Sequence, residues 1–219
     1  MKTSRLCFFL FALFCFTSLF AQEELGNGML FPQFQKGTVI FKSGARSSAS
    51  LNYSMTQQEM LFMEADSTVM ALADPLDISV VIIGERRFIP VTSAGVCYEE
   101  IQAGKGSFFV NQKATLLSKG KASAYGGYSQ TSSTRQLGTY HSDGTTVKLN
   151  PDEKFVLNIK NTYYLKSGNS YKGFYSAKTL GKLFKGHGAE IEKFATEQSI
   201  NFSKTEDVVR IVEYGYGLM

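Results

Sequence analysis

Residues 49–55 read Ala49-Ser50-Leu51-Asn52-Tyr53-Ser54-Met55, and their alternation decides the fold class. Ala49, Leu51, Tyr53 and Met55 fall on one side of an extended chain; Ser50, Asn52 and Ser54 fall on the other. A period of two is the signature of a half-buried β-strand, since successive side chains point to opposite faces. Working outward, TVIFK (38–42) and EMLFME (59–64) read as its neighbours. STVMALA follows, and then DISVVIIG (77–84), apolar on both faces as a central strand should be. RRFIPV, GVCYEEI, SFFVN and KATLLSK continue the series, separated by turn-like GERR, TSAG and QAGKG.

Beyond residue 135 the pattern resumes. HSDGTTVKLN holds Asp143-Gly144, and TYYLKS and SYKGFYS are joined by Gly168-Asn169. Asp143-Gly144 suits a type I′ hairpin turn, whose two central residues need positive φ, and Gly168-Asn169 is another hairpin signal. KFVLNIK places Phe155, Leu157 and Ile159 on one face. The expectation is a mainly β chain of about a dozen short antiparallel strands, sandwich or barrel-like. No strand alternates with a long helix, which argues against a parallel βαβ layout. Most strands fall short of the roughly ten residues of an outer-membrane barrel, and the chain ends in helix rather than a closing strand.

From Ser176 the period changes to 3.6. Leu180, Leu183, Phe184 and His187 share a stripe behind a Ser176 N-cap, and GHG (186–188) breaks it. Ile191, Phe194 and Ala195 mark a second helix ending near Ser199. SKTE (203–206) has the form of a capping box, with Val208, Ile211, Val212 and Gly215 on one side of the helix that follows. A small three-helix unit therefore closes the β body, α+β overall.

The chain begins with MKTSR and the apolar run LCFFLFALFCFTSLF, followed by Ala21 and QEE. These are the parts of a secretory signal peptide, too short for a membrane span of roughly twenty residues. The division expected is signal peptide 1–21, polar lead 22–35, antiparallel β domain 36–175 and helical unit 176–219. With the leader go Lys2 and Arg5, so 23 basic residues become 21 against 19 acidic ones and the net charge falls from +4 to +2. So small a net charge gives no basic stripe for nucleic acid. Cys7 and Cys15 leave as well, and Cys97 alone cannot form an internal disulfide. A chain of about 200 residues buries a core without one.

FQKGTVIFKSG, LNYS, EMLFME, RRFIPV, CYEEI, GKASAYGGYSQTSS and LGKLFKGHGAEIEKFATEQSINFSKTEDVVRIVEY, in that order, resemble a group of exported proteins of Bacteroidota-type bacteria. The resemblance spans nearly the whole mature chain. It implies export to the periplasm or envelope of a Gram-negative cell and a two-part layout, and it implies no reaction.

Reactive motifs are sparse. G-x-S-x-G is absent, and a triad built on His141 would borrow Asp143, which the Asp143-Gly144 turn already explains. His187 and Glu190 share a helix face without HExxH, and the simpler reading is a helix-end histidine at a C-terminal dipole. Cys97 precedes Glu99 and Glu100, the wrong charge for a thiolate, and reads as a packed residue. Glu99 and Glu100, adjacent on a strand, point to opposite faces and cannot act as a carboxylate pair. Glu85-Arg86-Arg87 reads as an anion clamp or, more simply, a solvated hairpin tip. GKGS (104–107) lacks the spacing of a phosphate loop.

What remains is KGKASAYGGYSQTSSTR (119–135), rich in Gly, Ser and Thr around two tyrosines. Tyrosine offers flat contact area at low entropic cost and small polar residues offer hydrogen bonds, so the composition suits a sugar or a peptide. It also suits a plain surface loop, and the chain has no tryptophan for a carbohydrate platform. Tyr125, Gly126, Gly127, Tyr128 and Arg135 are the candidate ligand-binding residues. No catalytic residue, metal site or cofactor is expected. The leading expectation is a non-enzymatic envelope protein that binds an envelope protein or a glycan. The alternatives are a hydrolase assembled from scattered Glu, Asp and His residues, or a structural subunit of an exported assembly.

Overall fold

A computed structural model describes residues 28–122, 128–129 and 153–219. The segment read as a signal peptide (1–21), Tyr125, Gly126, Gly127, Arg135, His141 and the Asp143-Gly144 dipeptide read as a turn lie outside the described residues. Among the described residues, eleven strands form one antiparallel sheet. In chain order they are β1 (Gln35–Phe41), β2 (Arg46–Ser54), β3 (Glu59–Met63), β4 (Val69–Ala71), β5 (Ile78–Ile83) and β6 (Arg86–Pro90). Then come β7 (Cys97–Ala103), β8 (Gly106–Ala122), β9 (Tyr128–Ser129), β10 (Glu153–Ser167) and β11 (Ser170–Phe174). The order across the sheet is β11-β10-β8-β7-β6-β5-β1-β2-β3-β4, with β9 paired to β8 off this path, and the sheet does not close. Three helices follow: α1 (Ala177–Gly181), α2 (Gly188–Glu197) and α3 (Thr205–Gly217). None is long and apolar enough to cross a membrane.

The mainly β, helix-capped architecture agrees with the alternation in the sequence, and two pairs of expected short strands are each one long strand. SFFVN and KATLLSK are one 17-residue strand, β8, and KFVLNIK and TYYLKS are one 15-residue strand, β10. Neither junction carries the glycine or proline that would turn the chain. The hairpin at Gly168-Asn169 forms as expected, with Ser167 opposite Ser170 and Gly168 at φ 59°.

β2 departs from the half-buried pattern. Leu51, Tyr53 and Met55 are buried, and so are Asn52 and Ser54 on the other face. The cause is the segment Gly28–Phe31, which runs beside the end of β2: Leu30 N–H donates to Tyr53 O (2.8 Å) and Met55 N–H to Gly28 O (2.8 Å). The Asn52 amide donates to Phe31 O (2.8 Å) and accepts from Phe31 N–H (3.1 Å), so its burial leaves no bond unmade. Part of the stretch read as a polar lead thus belongs to the body, and Phe31 packs edge-on against Phe88 (6.3 Å).

Two apolar cores result. The first packs on β1, β2, β3, β5 and β6, around Leu51, Tyr53, Met55, Val81 and Phe88, and reaches Ala114 of β8. Ala114 N–H donates to Met55 O (3.0 Å), which ties the end of β2 to the middle of β8. The second core lies between the helices and β7, β8, β10 and β11, where Val208, Ile211 and Val212 of α3 meet Phe108, Val110 and Tyr163. Fully burying a Val or Ile side chain contributes roughly 1.5–3 kcal/mol, so the α3 stripe alone is enough to dock the helix.

Candidate ligand-binding face

The polar groups singled out by the sequence are mostly engaged within the chain. Arg86 and Arg87 do not form a solvated tip; they open β6 and point to opposite faces, each toward a carboxylate of β7. Arg86 Nε and Nη2 donate to both oxygens of Glu99 (2.6 and 2.7 Å), and Arg87 Nε donates to Glu100 (3.0 Å). The anion clamp therefore grips the protein's own carboxylates. Cys97 is buried, its S–H donates to Gly95 O (3.4 Å), and burial pushes the thiol up to about 12. A thiol so held is a packing group at neutral pH.

His187 sits at the N-cap of α2 rather than at a helix C-terminus, because α1 ends early at Gly181 and α2 begins at Gly188. Its Nδ1 lies 3.7 Å from Glu190 and has no hydrogen-bond partner. No group of three His, Cys, Asp or Glu gathers as metal ligands among the described residues. GKGS is the β7–β8 turn, with Ala103 opposite Gly106. Of the tyrosine-glycine stretch, Tyr128 and Ser129 return as β9 against Ala122 and Lys121, at the far end of β8. The other four candidate residues there, Tyr125, Gly126, Gly127 and Arg135, fall outside the described residues.

A different aromatic cluster occupies the sheet face turned away from the helices. One row of registered residues crosses five strands: Arg87 of β6, Glu100 of β7, Phe109 of β8, Tyr164 of β10 and Gly173 of β11. Tyr163, one residue earlier on β10, points the other way into the helical core. Tyr98 shares the face of Glu100, two residues on. It reaches across β8 to stack on Tyr164, with ring centroids 4.6 Å apart and planes 12° from parallel. Tyr171 meets Tyr98 edge-on at 5.2 Å and Phe109 edge-on at 5.0 Å. Phe109 is buried beneath, while the three tyrosines are half-buried and form a second layer over it.

Local chemistry fixes this layer. Gly173 presents no side chain opposite Tyr164; a Cβ there would lie 3.5 Å from the ring, so the phenol leans over bare backbone. Ser107 Oγ donates to Glu100 (3.2 Å), and the same carboxylate takes Arg87, giving the layer a charged rim. Burial first, and the Tyr164 phenol second, hold the Tyr98 hydroxyl protonated well above its ordinary range. Burial first, and the Glu100 carboxylate second, also raise the Tyr171 hydroxyl above its ordinary value. Asn111, two residues along from Phe109 on the same face, keeps a buried Oδ1 with no partner. The face thus offers apolar ring area, neutral phenols, an amide and one ion pair, which are groups of recognition.

Sequence reasoning missed this face because its residues lie on five strands and meet only through register. The one local signal was TYYLK, where a second tyrosine falls on the face that alternation assigns to solvent. Comparison with protein families, curated proteins and solved structures finds no match for this chain.

Proposed function

We propose that this is an exported, non-enzymatic envelope protein that binds a glycan-bearing envelope component on the Tyr98–Tyr164–Tyr171 face. The observation that carries the reading is the tyrosine layer stacked over Phe109 on the side of the sheet that the helices leave uncovered. Sugar rings pack their C–H faces on aromatic planes, and neutral phenols exchange hydrogen bonds with hydroxyl groups. The rim of Arg87, Glu100 and Ser107 supplies the few oriented polar groups that specificity needs. The leader-like segment 1–21 supports the envelope as the place of action.

The test is titration of the mature protein with purified envelope glycans, namely peptidoglycan fragments and lipopolysaccharide-derived oligosaccharide. It is repeated with Tyr98→Ala and Tyr164→Ala. Binding by the parent chain, lost in both variants while their circular dichroism is unchanged, supports the reading. Binding retained in both variants, or none by the parent chain, rejects it.

A further inference from the structure

β4 is the terminal strand of the sheet at the end opposite β11, and it pairs only with β3 among the described residues. The ladder fixes which backbone groups it leaves free. Leu72 N–H donates to Met60 O (3.0 Å) and Glu64 N–H to Thr68 O (2.9 Å), so the hydrogen-bonded positions of β4 and its flanks are 68, 70 and 72. The N–H and C=O groups of Val69 and Ala71 must then point away from β3, as alternate residues of an antiparallel strand do. Val69, Met70 and nearby Leu76 are 46%, 47% and 46% exposed. β4 itself carries neither lysine nor proline, and its guard is its length of three residues.

A cleft of about 280 Å³ opens beside that edge. Ala71 belongs to both; Met60, Leu72 and Ile78 give the cleft an apolar floor, and Glu59 and Asp74 are the carboxylates in its wall. The volume suits one side chain rather than a drug-sized ligand. The surrounding chain is one-sided in charge. From Ser47 to Glu85 it carries Glu59, Glu64, Asp66, Asp74, Asp77 and Glu85, and no Lys, Arg or His.

We infer that the β4 edge takes an extended basic segment of a partner protein as an added strand, with a lysine side chain lying in the Glu59–Asp74 cleft. Main-chain bonds to Val69 and Ala71 supply the pairing, and a pocket beside the edge supplies the selection. The aliphatic stem of lysine covers apolar surface while its ammonium stays at the carboxylate rim. A second copy of this chain pairing β4 to β4 would instead set two acidic segments side by side, which like charge disfavours. The inference is independent of the tyrosine face, which lies on other strands.

The probe is a labelled heptapeptide alternating threonine and lysine, with a glutamate counterpart and a version N-methylated on alternate backbone nitrogens. All three are titrated into the mature protein by fluorescence polarisation. Ala71→Pro removes one outward N–H and leaves the β3 ladder whole. Asp74→Asn removes charge while keeping a residue that tolerates the left-handed φ of 46° found there. The lysine peptide should bind, and each substitution should weaken it about tenfold, the scale of one charge-assisted or backbone bond. The glutamate and N-methylated peptides should not bind. Should Ala71→Pro disturb the fold, the N-methylated peptide against the parent chain decides. Equal binding of methylated and unmethylated peptides overturns strand addition, as does no binding by the parent chain. A dimer of the parent chain that Ala71→Pro dissociates, without peptide binding, assigns the edge to a second copy and overturns the inference too.

Discussion

Arg86 and Glu99 form a two-pronged ion pair at the seam between the two cores, with Nε–Oε1 at 2.6 Å and Nη2–Oε2 at 2.7 Å. The guanidinium lies 5.1 Å from the Phe31 ring and 5.5 Å from that of Phe88, so its flat faces cover core aromatics. Gln112 of β8 donates to the same carboxylate. Strands β6, β7 and β8 are thereby pinned by polar contacts where neither core reaches fully. Removing one partner leaves the other charge with poor solvation, a loss that outweighs whatever the pair contributes.

Arg86→Met should therefore lower the unfolding free energy by about 2–4 kcal/mol, discounted because a third of the Arg86 side chain is exposed. The double variant Arg86→Met with Glu99→Leu should recover part of that loss, since a well-packed apolar pair removes the stranded carboxylate. Urea midpoints of the two singles and the double decide it. A double variant as unstable as the sum of the singles would mean that Glu99 is not stranded when Arg86 is gone.

Alkaline stability carries a second expectation. Cys97 rises to about 12 in the fold against an ordinary value of 9.0, chiefly through burial, and Tyr53 is raised from 10.0 by the same cause. Each group holds its proton more tightly folded than unfolded. That stability is fully present below the unfolded value and lost as pH rises toward the folded one. Thermal midpoints should stay level to about pH 9 and fall above it, as the thiol and then the phenols of Tyr53, Tyr98 and Tyr171 become liable to ionise. Cys97→Ala should move the onset toward pH 10. Tyrosinate absorbance at 295 nm should rise together with loss of far-ultraviolet dichroism. If all the phenols ionise near pH 10 with the fold intact, their burial is not what the packing indicates.

The end of α3 rests on a glycine. Tyr216 O–H donates to Ser107 O (2.9 Å), and a Cβ on Gly106 would fall 2.3–2.6 Å from its ring. Gly106→Ala should cost about 1–3 kcal/mol, the range for forcing an extra carbon into a packed contact. Tyr216→Leu, placed on top, should restore part of it by removing the ring. A neutral Gly106→Ala in urea unfolding would show that the helix end has room to shift.

Much of this architecture is legible in local patterns, and little of the site is. Leu51, Tyr53 and Met55 announce a strand, and Val208, Ile211 and Val212 announce a helix stripe, because each pattern repeats within a few residues. Arg86 and Glu99 are thirteen residues apart, and Tyr98 and Tyr164 meet across a third strand. Which residues face which depends on register, and no local period encodes register between strands. The Asn52 amide shows the same gap: its neighbours mark it as solvent-facing, and a segment twenty-one residues earlier buries it. Composition pointed to Tyr125 and Tyr128 as a binding loop; the aromatic layer that the described residues do reveal is built instead from tyrosines inside regular strands.

Helix capping separates what the sequence suggests from what the fold uses. Ser203 and Glu206 have the spacing of a capping box, yet α3 starts at Thr205 behind Lys204, which makes no side-chain cap. Ser203 N–H is taken instead by Asn201 Oδ1 (2.9 Å), and the acid of the first turn that turns back is Asp207, accepting from Asn201 N–H (3.1 Å). The reciprocal box forms at α1. Ser176 Oγ accepts from Thr179 N–H (3.3 Å) and Thr179 Oγ1 accepts from Ser176 N–H (3.0 Å), with threonine in the place usually held by Glu. Ser176→Ala should thus cost about 1 kcal/mol, because it orphans a donor at the point where the β body hands over to the helices. Ser203→Ala should stay within about 0.5 kcal/mol, as a surface change that removes no bond. Urea unfolding of the two variants reads the difference directly. A loss at Ser203 equal to that at Ser176 would move the N-cap from Lys204 to Ser203, start α3 one residue earlier than Thr205 and restore the Ser203–Glu206 box.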